Sequence, residues 1–369
     1  MREGMFWEPL PERKLVCNLC AHRCVIRDGK PGVCFVRFNE GGVLYTVVDD
    51  RIVSANVDPI EKKPLFHCLP GSRSYSIATV GCNFRCLHCQ NYEISQASKR
   101  RGRAEGSPVP SFREEMESRA VGELVTPDEI VEAAVRTGCR SISYTYTEPT
   151  IFYELAYETA KRAAEKGIAN IFVTNGFITP EALREIRPFL HAANIDLKAF
   201  TEEFYKKVCG AALQPVLDSI RLHRELGIWV EVTTLIIPHH NDSEEELRKI
   251  AEFIVGVDPE IPWHVTQFYP TYKLTDEPRT PVATLRRARE IGLDAGLKYV
   301  YEGNVPGEGG ENTYCPACKS LLIERFGFSI LKNRLRDGRC PDCGAVQAGI
   351  WLGLPAGRST PPSVQVAGT

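Results

Sequence analysis

The stretch Gly81-Cys82-Asn83-Phe84-Arg85-Cys86-Leu87-His88-Cys89-Gln90-Asn91 decides how this sequence of 369 residues is interpreted. It follows an apolar, β-branched run at 76–80 that predicts a strand, so the cysteines lie on a loop at the C-terminal end of that strand. Three thiolates in C-x3-C-x2-C spacing can bind three irons of a [4Fe–4S] cluster and leave the fourth iron open. The alternative is a zinc site completed by His88, but zinc prefers four closed ligands and paired C-x2-C knuckles. The spacing therefore favours a catalytic cluster on Cys82, Cys86 and Cys89.

Predicted strands and helices alternate from about residue 75 to residue 301. Further strands are predicted at 141–147, 169–174, 193–197, 229–237, 263–269 and 298–301. One helix opens at Thr126-Pro127-Asp128-Glu129, and others are predicted near 150–166, 180–188, 215–226, 243–255 and 281–295. Such alternation predicts an α/β fold, a partial TIM-like (β/α)6 barrel whose active site forms where loops leave the strands. A doubly wound open sheet is the alternative.

Eleven of the 14 cysteines fall into three tight groups, two of which flank the predicted barrel. The N-terminal group comprises Cys17, Cys20, Cys24 and Cys34. The C-terminal group comprises Cys315, Cys318, Cys340 and Cys343. In a reducing compartment, grouped cysteines indicate metal binding rather than disulfides. The N-terminal spacing suits either zinc or a second [4Fe–4S] cluster, whereas the two C-terminal C-x2-C knuckles predict a zinc ribbon with an iron–sulfur cluster as the alternative.

These groups divide the chain into four expected regions. We predict an N-terminal cysteine-rich metal lobe at 1–70, the barrel at 71–305, a zinc-ribbon-like lobe at 306–355 and a disordered tail at 356–369. Within the first lobe, the segments 42–48 and 51–57 predict a β-hairpin that turns at Asp49-Asp50. The basic run Lys99-Arg100-Arg101-Gly102-Arg103 is predicted to lie in a solvated surface loop.

Charge and hydropathy exclude two classes of partner. The formal net charge of −2 gives no electrostatic support for a nucleic-acid or membrane-surface protein. The apolar runs are too short to span a bilayer. The N-terminal stretch MREGMFWEPLPERK lacks the pattern of a secretory signal, so we expect a cytoplasmic protein.

The cysteine loop resembles the signature of the radical S-adenosylmethionine (SAM) superfamily. The wider sequence resembles the AmmeMemoRadiSam system radical SAM enzymes, which are related to the pyruvate formate-lyase activating enzymes. The matching stretches are Asp58-Pro59-Ile60-Glu61-Lys62-Lys63-Pro64, Gly81 to Asn91, Tyr144-Thr145-Tyr146-Thr147-Glu148-Pro149, Asn194-Ile195-Asp196-Leu197-Lys198 and Tyr301-Glu302-Gly303-Asn304. The likeness covers nearly the whole chain, including both flanking cysteine groups.

The resemblance implies a radical enzyme that cleaves SAM reductively at a [4Fe–4S] cluster. The resulting 5′-deoxyadenosyl radical would abstract hydrogen from an unidentified substrate, either a small molecule or a protein. A glycyl-radical-enzyme activase acting on a protein glycine is one alternative. The alternative from another class is a non-catalytic metal-binding or electron-transfer protein, in which Cys68 would supply the fourth thiolate. Expected partners are an electron donor such as flavodoxin or ferredoxin, and Memo-type and AMMECR1-type proteins.

Five further residues are candidate contacts for the bound SAM. Glu148 follows a predicted strand end, and similar motifs in the family meet the methionyl amino group through a carboxylate or backbone carbonyls. Asn175 ends the next strand, just before Gly176. Asp196 and Lys198 lie two residues apart on a strand, so both side chains point to the same face, where they would meet the ribose hydroxyls and the carboxylate. His264 is the fifth candidate.

Overall fold

The computed structural model describes residues 1–99 and 111–351. The basic run after Lys99 and the predicted disordered tail at 356–369 lie outside these residues. Within the described ranges, no helix combines the length and the apolar character that crossing a bilayer requires.

An eight-stranded sheet forms the centre of the molecule. Its strands are β1 (Ser54–Pro59), β2 (Arg73–Ala78), β3 (Ser141–Tyr144), β4 (Ala169–Thr174), β5 (Ala192–Asp196), β6 (Trp229–Ile236), β7 (Trp263–Gln267) and β8 (Val300–Gly303). Strands β2 to β8 are parallel and neighbour one another in sequence order, while β1 pairs with β2 antiparallel. A doubly wound sheet would reverse its strand order, so this order confirms the barrel-type prediction. Because β1 and β8 remain at opposite edges, the barrel is partial.

Six helices connect consecutive parallel strands. They are α1 (Pro127–Arg136), α2 (Tyr153–Glu165), α3 (Pro180–Ile186), α4 (Gln214–Glu225), α5 (Glu244–Val257) and α6 (Val282–Asp294). Helix α1 begins as predicted, because Thr126 and Glu129 form a capping box and Pro127 occupies the first turn. In α6, Gly292 lets the helix approach the sheet, since a Cβ there would lie 2.9 Å from a ring carbon of Trp263. Shorter helical segments are Ile60–Lys62, Tyr92–Ser95, Ala97–Lys99, Phe112–Glu117, Pro149–Phe152, Glu202–Phe204 and the π-helical turn Tyr205–Cys209.

The N-terminal residues form two small antiparallel sheets, and here one prediction is wrong. One sheet joins Trp7–Leu10, Lys14–Cys17 and Val25–Ile26, and the other joins Arg2–Glu3, Val43–Thr46, Arg37–Glu40 and Lys30–Pro31. The predicted hairpin between 42–48 and 51–57 does not form. Val43–Thr46 pairs with Arg37–Glu40 across the two-residue turn Gly41-Gly42, where both residues have positive φ. The second predicted strand divides between Arg51–Ile52, which pairs with Glu123–Leu124, and β1 of the central sheet.

The C-terminal lobe is a three-stranded antiparallel sheet of Thr313–Tyr314, Leu321–Phe326 and Ser329–Asn333. Arg325 joins this lobe to the barrel, because its buried guanidinium donates to the Phe66 carbonyl at 3.0 Å and stacks 4.2 Å from the Phe66 ring centre. The backbone of His67 also bonds to that of Ile350. The lobe therefore packs on the segment between β1 and β2.

A buried ion pair ties the N-terminal lobe to the barrel. The Arg37 guanidinium donates to both carboxylate oxygens of Glu154, on α2, at 2.8 and 2.9 Å. The side chains are 2% and 0% exposed, so neither charge has water as an alternative partner. Removing one member of such a pair leaves an uncompensated charge in the interior.

We expect Glu154→Gln to lower the free energy of unfolding by about 3 kcal/mol or more, because Arg37 would remain charged, buried and unpaired. Urea denaturation followed by circular dichroism measures the change. The matched control is Glu158→Gln on the same helix, whose carboxylate pairs with Arg162 at the partly exposed surface and is worth about 1 kcal/mol or less. Equal losses in the two variants would contradict the assigned role.

Candidate functional site

The three central cysteines lie on one irregular loop that follows the C-terminal end of β2. Cys82 and Cys86 are 7% and 8% exposed, and Cys89 is half-buried. Two groups from the chain already hydrogen-bond to these sulfurs: the backbone N–H of Phe84 donates to Cys82 Sγ at 3.4 Å, and the Ser95 hydroxyl lies 3.2 Å from Cys89 Sγ. Hydrogen bonds from the chain therefore position the sulfurs of Cys82 and Cys89 at the edge of the barrel where the parallel strands end.

The π-helical turn Tyr205–Cys209 supports the loop from one side. The backbone N–H groups of Arg85 and Leu87 donate to the carbonyls of Cys209 and Val208, at 2.8 and 2.9 Å. The neighbouring Cys209 thiol and burial together raise the pKa of Cys86. Sequence analysis missed this neighbour, since Cys209 belongs to no motif and is brought close only by the fold.

Cys68, which the electron-transfer alternative offered as a fourth ligand, lies elsewhere. It is fully buried in a separate apolar cluster with Tyr299 and Ile350, against the C-terminal lobe. His88, the zinc alternative, is buried on the cysteine loop itself. Across residues 1–99 and 111–351, only the C-terminal cysteines bring three or more metal-ligand atoms within 4.8 Å of one another. Neither His88 nor Cys209 therefore completes a closed tetrahedral site with the loop thiols.

The structure brings Asn175, Asp196 and Lys198 to this loop. The Asn175 amide donates to the Asn83 side-chain oxygen at 2.7 Å and lies 3.9 Å from Cys82 Sγ. Lys198 forms an ion pair of 2.7 Å with Asp196, so the two side chains lie on the same face. The charge of Lys198 also acts on Cys86. These polar side chains surround the thiols at the mouth of the barrel.

We expected Glu148 to face the mouth of the barrel. It lies nearby, but its carboxylate is not free to do so. It is fully buried, and its carboxylate accepts hydrogen bonds from Thr150 N–H, the Thr150 and Thr174 hydroxyls and Asn175 N–H, at 2.6–3.1 Å. Burial raises the pKa of Glu148, and these hydrogen bonds oppose the rise. The side chain therefore joins the loops after β3 and β4, and so positions Asn175.

His264 is placed apart from these groups, in a buried network at the start of β7. Its Nε2 lies 2.7 Å from a carboxylate oxygen of Glu231, and its ring packs against Phe66 and Tyr301. Glu231 also accepts from the backbone N–H groups of Phe66 and His67. This surrounding gives His264 a structural role within the barrel.

A second polar network follows the stretch around Asp58 that carried part of the resemblance. The Asp58 carboxylate pairs with Lys63 at 2.7 Å and accepts from the Tyr146 hydroxyl at 2.5 Å. Burial opposes ionisation of Asp58, but hydrogen bonds from Lys63, Tyr146 and Lys62 outweigh it and lower the pKa of Asp58. Tyr146 has a φ of 66°, a strained conformation for a bulky residue that is concentrated at functional sites. The network fixes the backbone between β3 and Glu148.

Comparison with known proteins identifies the family. The family model of the Radical SAM superfamily matches residues 76–254. A 7-carboxy-7-deazaguanine synthase of Thermococcus kodakarensis is 32% identical over 51% of this chain and 73% of its own length. The chain belongs to the radical SAM superfamily.

Two further relatives of this radical SAM enzyme differ in how much of it they match. An uncharacterized protein of Methanocaldococcus jannaschii is 48% identical over 93% of this chain and 98% of its own length. The pyruvate formate-lyase-activating enzyme of Clostridium pasteurianum is 21% identical over 51% of this chain and 71% of its own length. The first match therefore extends over nearly the whole chain, whereas the second covers about half of it.

The residues at the mouth of this radical SAM enzyme fit a [4Fe–4S] cluster. Three thiols on one loop supply ligands for three irons, and hydrogen-bond donors already point at two of the sulfurs. One buried polar atom on the cysteine loop, His88 Nδ1, has no hydrogen-bond partner among the described residues. A bound cofactor would give such an atom an acceptor or donor that the chain does not provide.

The C-terminal cysteines of the radical SAM enzyme form a tighter site. The Cys315 and Cys343 sulfurs lie 3.7 Å apart, and those of Cys318 and Cys340 lie 3.6 Å apart. Four thiolates about 2.3 Å from a tetrahedral zinc ion are separated by about 3.8 Å, so this group fits one ion. It can hold a metal without rearrangement, as the two knuckles predicted.

We expect the joint variant Cys340→Ser and Cys343→Ser to lose about one zinc ion per chain, because a tetrahedral site cannot close on two thiolates. Elemental analysis of the purified protein measures the content. Cys139→Ser, a buried cysteine outside the three groups, is the matched control and should keep the wild-type content. Unchanged zinc in the double variant would place the ion elsewhere.

Proposed function

We propose that this radical SAM enzyme holds a [4Fe–4S] cluster on Cys82, Cys86 and Cys89 and binds SAM at the open iron. The observation that carries the proposal is the convergence of these three thiols with Asn175, Asp196 and Lys198 at the C-terminal edge of the barrel. When bound, the reduced cluster supplies one electron that cleaves SAM to methionine and a 5′-deoxyadenosyl radical, which abstracts hydrogen from the substrate. The chain's own residues bind, orient and shield the reactants.

Each polar part of SAM has a partner of suitable chemistry in this arrangement. The Lys198 ammonium, which is 15% exposed, suits the methionyl carboxylate, and the Asp196 carboxylate, which is 36% exposed, suits the ribose hydroxyls. Asn175 is positioned beside Cys82 by the carboxylate of Glu148. The methionyl amino group would be met by backbone carbonyls of the strained segment at 145–148 rather than by Glu148, since that carboxylate already accepts four hydrogen bonds.

The substrate class is not carried over from either named relative. The 7-carboxy-7-deazaguanine synthase and the pyruvate formate-lyase-activating enzyme each match only 51% of this chain, so about half of the chain has no counterpart in either match. We propose a substrate, small molecule or protein glycine, that reaches the mouth between the cysteine loop and these lobes. A one-electron donor of the flavodoxin or ferredoxin class is required, and Memo-type and AMMECR1-type proteins are the partners to examine by co-purification.

We expect the anaerobically reconstituted protein with dithionite to convert SAM to 5′-deoxyadenosine, measured by liquid chromatography. Cys86→Ala should lose both the product and the central cluster, because two thiolates cannot retain the cubane. Cys68→Ala should keep both, since Cys68 lies in a separate cluster beside the C-terminal lobe. Loss of the central cluster in Cys68→Ala would instead support the electron-transfer protein, and absence of product at full iron occupancy would exclude the enzyme.

We expect Asp196→Asn to weaken SAM binding by about tenfold or more, the cost of one charge-assisted hydrogen bond to the ribose. Equilibrium dialysis with the reconstituted protein measures the dissociation constant. Asp218→Asn on the exposed surface of α4 is the matched control and should bind as the wild type does. If both variants bind SAM equally well, Asp196 is a structural partner of Lys198 alone.

A further inference from the structure

The four N-terminal thiols form a site that differs from the zinc-sized C-terminal one. Cys20 lies close enough to Cys17, Cys24 and Cys34 for their charges to act on it, and all four line one enclosed cavity. Yet in the described part of the chain only the C-terminal group draws three or more ligand atoms within 4.8 Å of one another. The N-terminal thiols thus converge on a common space while standing farther apart than the ligands of a single tetrahedral ion.

Wide spacing around a shared cavity is what a cubane requires. A [4Fe–4S] cluster places one iron at each corner and so separates its four thiolates more than one zinc ion does. The central group, Cys82, Cys86 and Cys89, likewise has no three ligand atoms within 4.8 Å of one another among the described residues.

The wall of the cavity is suited to a sulfide-bearing ligand. Asn83 lines it, and Asn83 Nδ2 is a buried donor with no hydrogen-bond partner in the described residues. Gly32 also lines it, and a Cβ there would lie 3.2 Å from Ile26 and 3.7 Å from Cys24 Sγ, so a larger residue would crowd the ligand space. The buried Arg37, which pairs with Glu154, also lines this cavity.

Short contacts connect this cavity to the central cysteine loop. His22, two residues after Cys20, hydrogen-bonds through Nε2 to the Asn83 carbonyl at 2.9 Å, and Asn83 directly follows Cys82. The Ser98 hydroxyl donates to the Cys34 carbonyl at 3.1 Å, and the neighbouring Lys99 donates to the Phe84 carbonyl at 2.7 Å. On the outer side, Cys24 is partly exposed and Val25 is 64% exposed. The site therefore lies between the surface and the central loop.

We propose that Cys17, Cys20, Cys24 and Cys34 hold a second [4Fe–4S] cluster, which serves as the entry point for electrons to the central site. The external donor would reduce the N-terminal cluster from the 2+ to the 1+ state. One electron would then pass to the central site, returning the N-terminal cluster to 2+, with no proton or group transferred. The binding site stands on the contacts above, whereas its electron-transfer role rests on the proposed function, because it needs the central acceptor.

Metal counting tests the site. The wild-type protein, reconstituted anaerobically with iron and sulfide, is expected to hold about eight irons per chain, and the joint variant Cys17→Ser and Cys20→Ser about four. Mössbauer spectroscopy should assign the wild-type iron to [4Fe–4S] clusters, and Cys139→Ser should match the wild type. About four irons and two zinc ions in the wild type would overturn the proposal even if the double variant fails to fold.

A second measurement tests the electron-transfer role. Reduction of the central site is followed by electron paramagnetic resonance with flavodoxin as donor and, separately, with dithionite, which is small enough to reach the mouth directly. The Cys17→Ser and Cys20→Ser variant is expected to lose reduction by flavodoxin and to keep reduction by dithionite. Equal reduction by both donors would refute the role. Absence of 5′-deoxyadenosine from a wild type with about eight irons would instead refute the proposed function and leave the second cluster standing.

Discussion

The arrangement of the functional site depends on how an irregular loop is held in place. The loop from Gly81 to Asn91 forms no β-ladder, so its buried backbone groups must find partners in other parts of the chain. The carbonyls of Val208 and Cys209 accept two of its N–H groups, while Lys99 and His22 bond to two of its carbonyls. An unpaired buried group would cost about 1–3 kcal/mol. The position of three thiols is thus fixed by the π-helical turn, the following helix and the N-terminal lobe together.

The sequence predicted the barrel well because the information needed for it is local. Each strand is a short apolar run and each helix has its own start signal, as Thr126 and Glu129 show at α1. Placing seven strands and six helices in chain order requires no long-range choice beyond the family of parallel folds. The hairpin at 42–57 was predicted wrongly because two partners compete for the same strand. The Gly41-Gly42 turn offers Val43–Thr46 a tighter connection to Arg37–Glu40 than Asp49-Asp50 offers to the residues after it.

The site residues also include some whose position follows from local sequence and others whose position depends on long-range contacts. The placement of Asn175, Asp196 and Lys198 near the cysteine loop could be predicted because residues at the C-terminal ends of parallel strands meet at one edge. The position of Glu148 after a predicted strand indicated a SAM contact equally well. In the folded chain, however, its carboxylate accepts four hydrogen bonds from the loop after β3 and from the end of β4 and its loop. Cys209 could not be found, since it contacts Cys86 from more than a hundred residues away and carries no spacing pattern. Side chains such as Glu148 and Cys209, which act on another residue of the site, carry no motif that sequence analysis could detect.

A second buried polar network in the barrel centres on Glu231 and leaves no room for a ligand. There Glu231 accepts from the N–H groups of Phe66 and His67, from the Trp229 indole and from His264. Burial alone would raise the pKa of Glu231, but the hydrogen bonds from His264 and Trp229 contribute to lowering it. A buried carboxylate with four donors has no lone pair to spare for a ligand, and the docked C-terminal lobe covers it further through Arg325. This part of the barrel is therefore filled by satisfied polar groups, whereas the thiols of the cysteine loop lie where the N-terminal lobe and the strand ends meet.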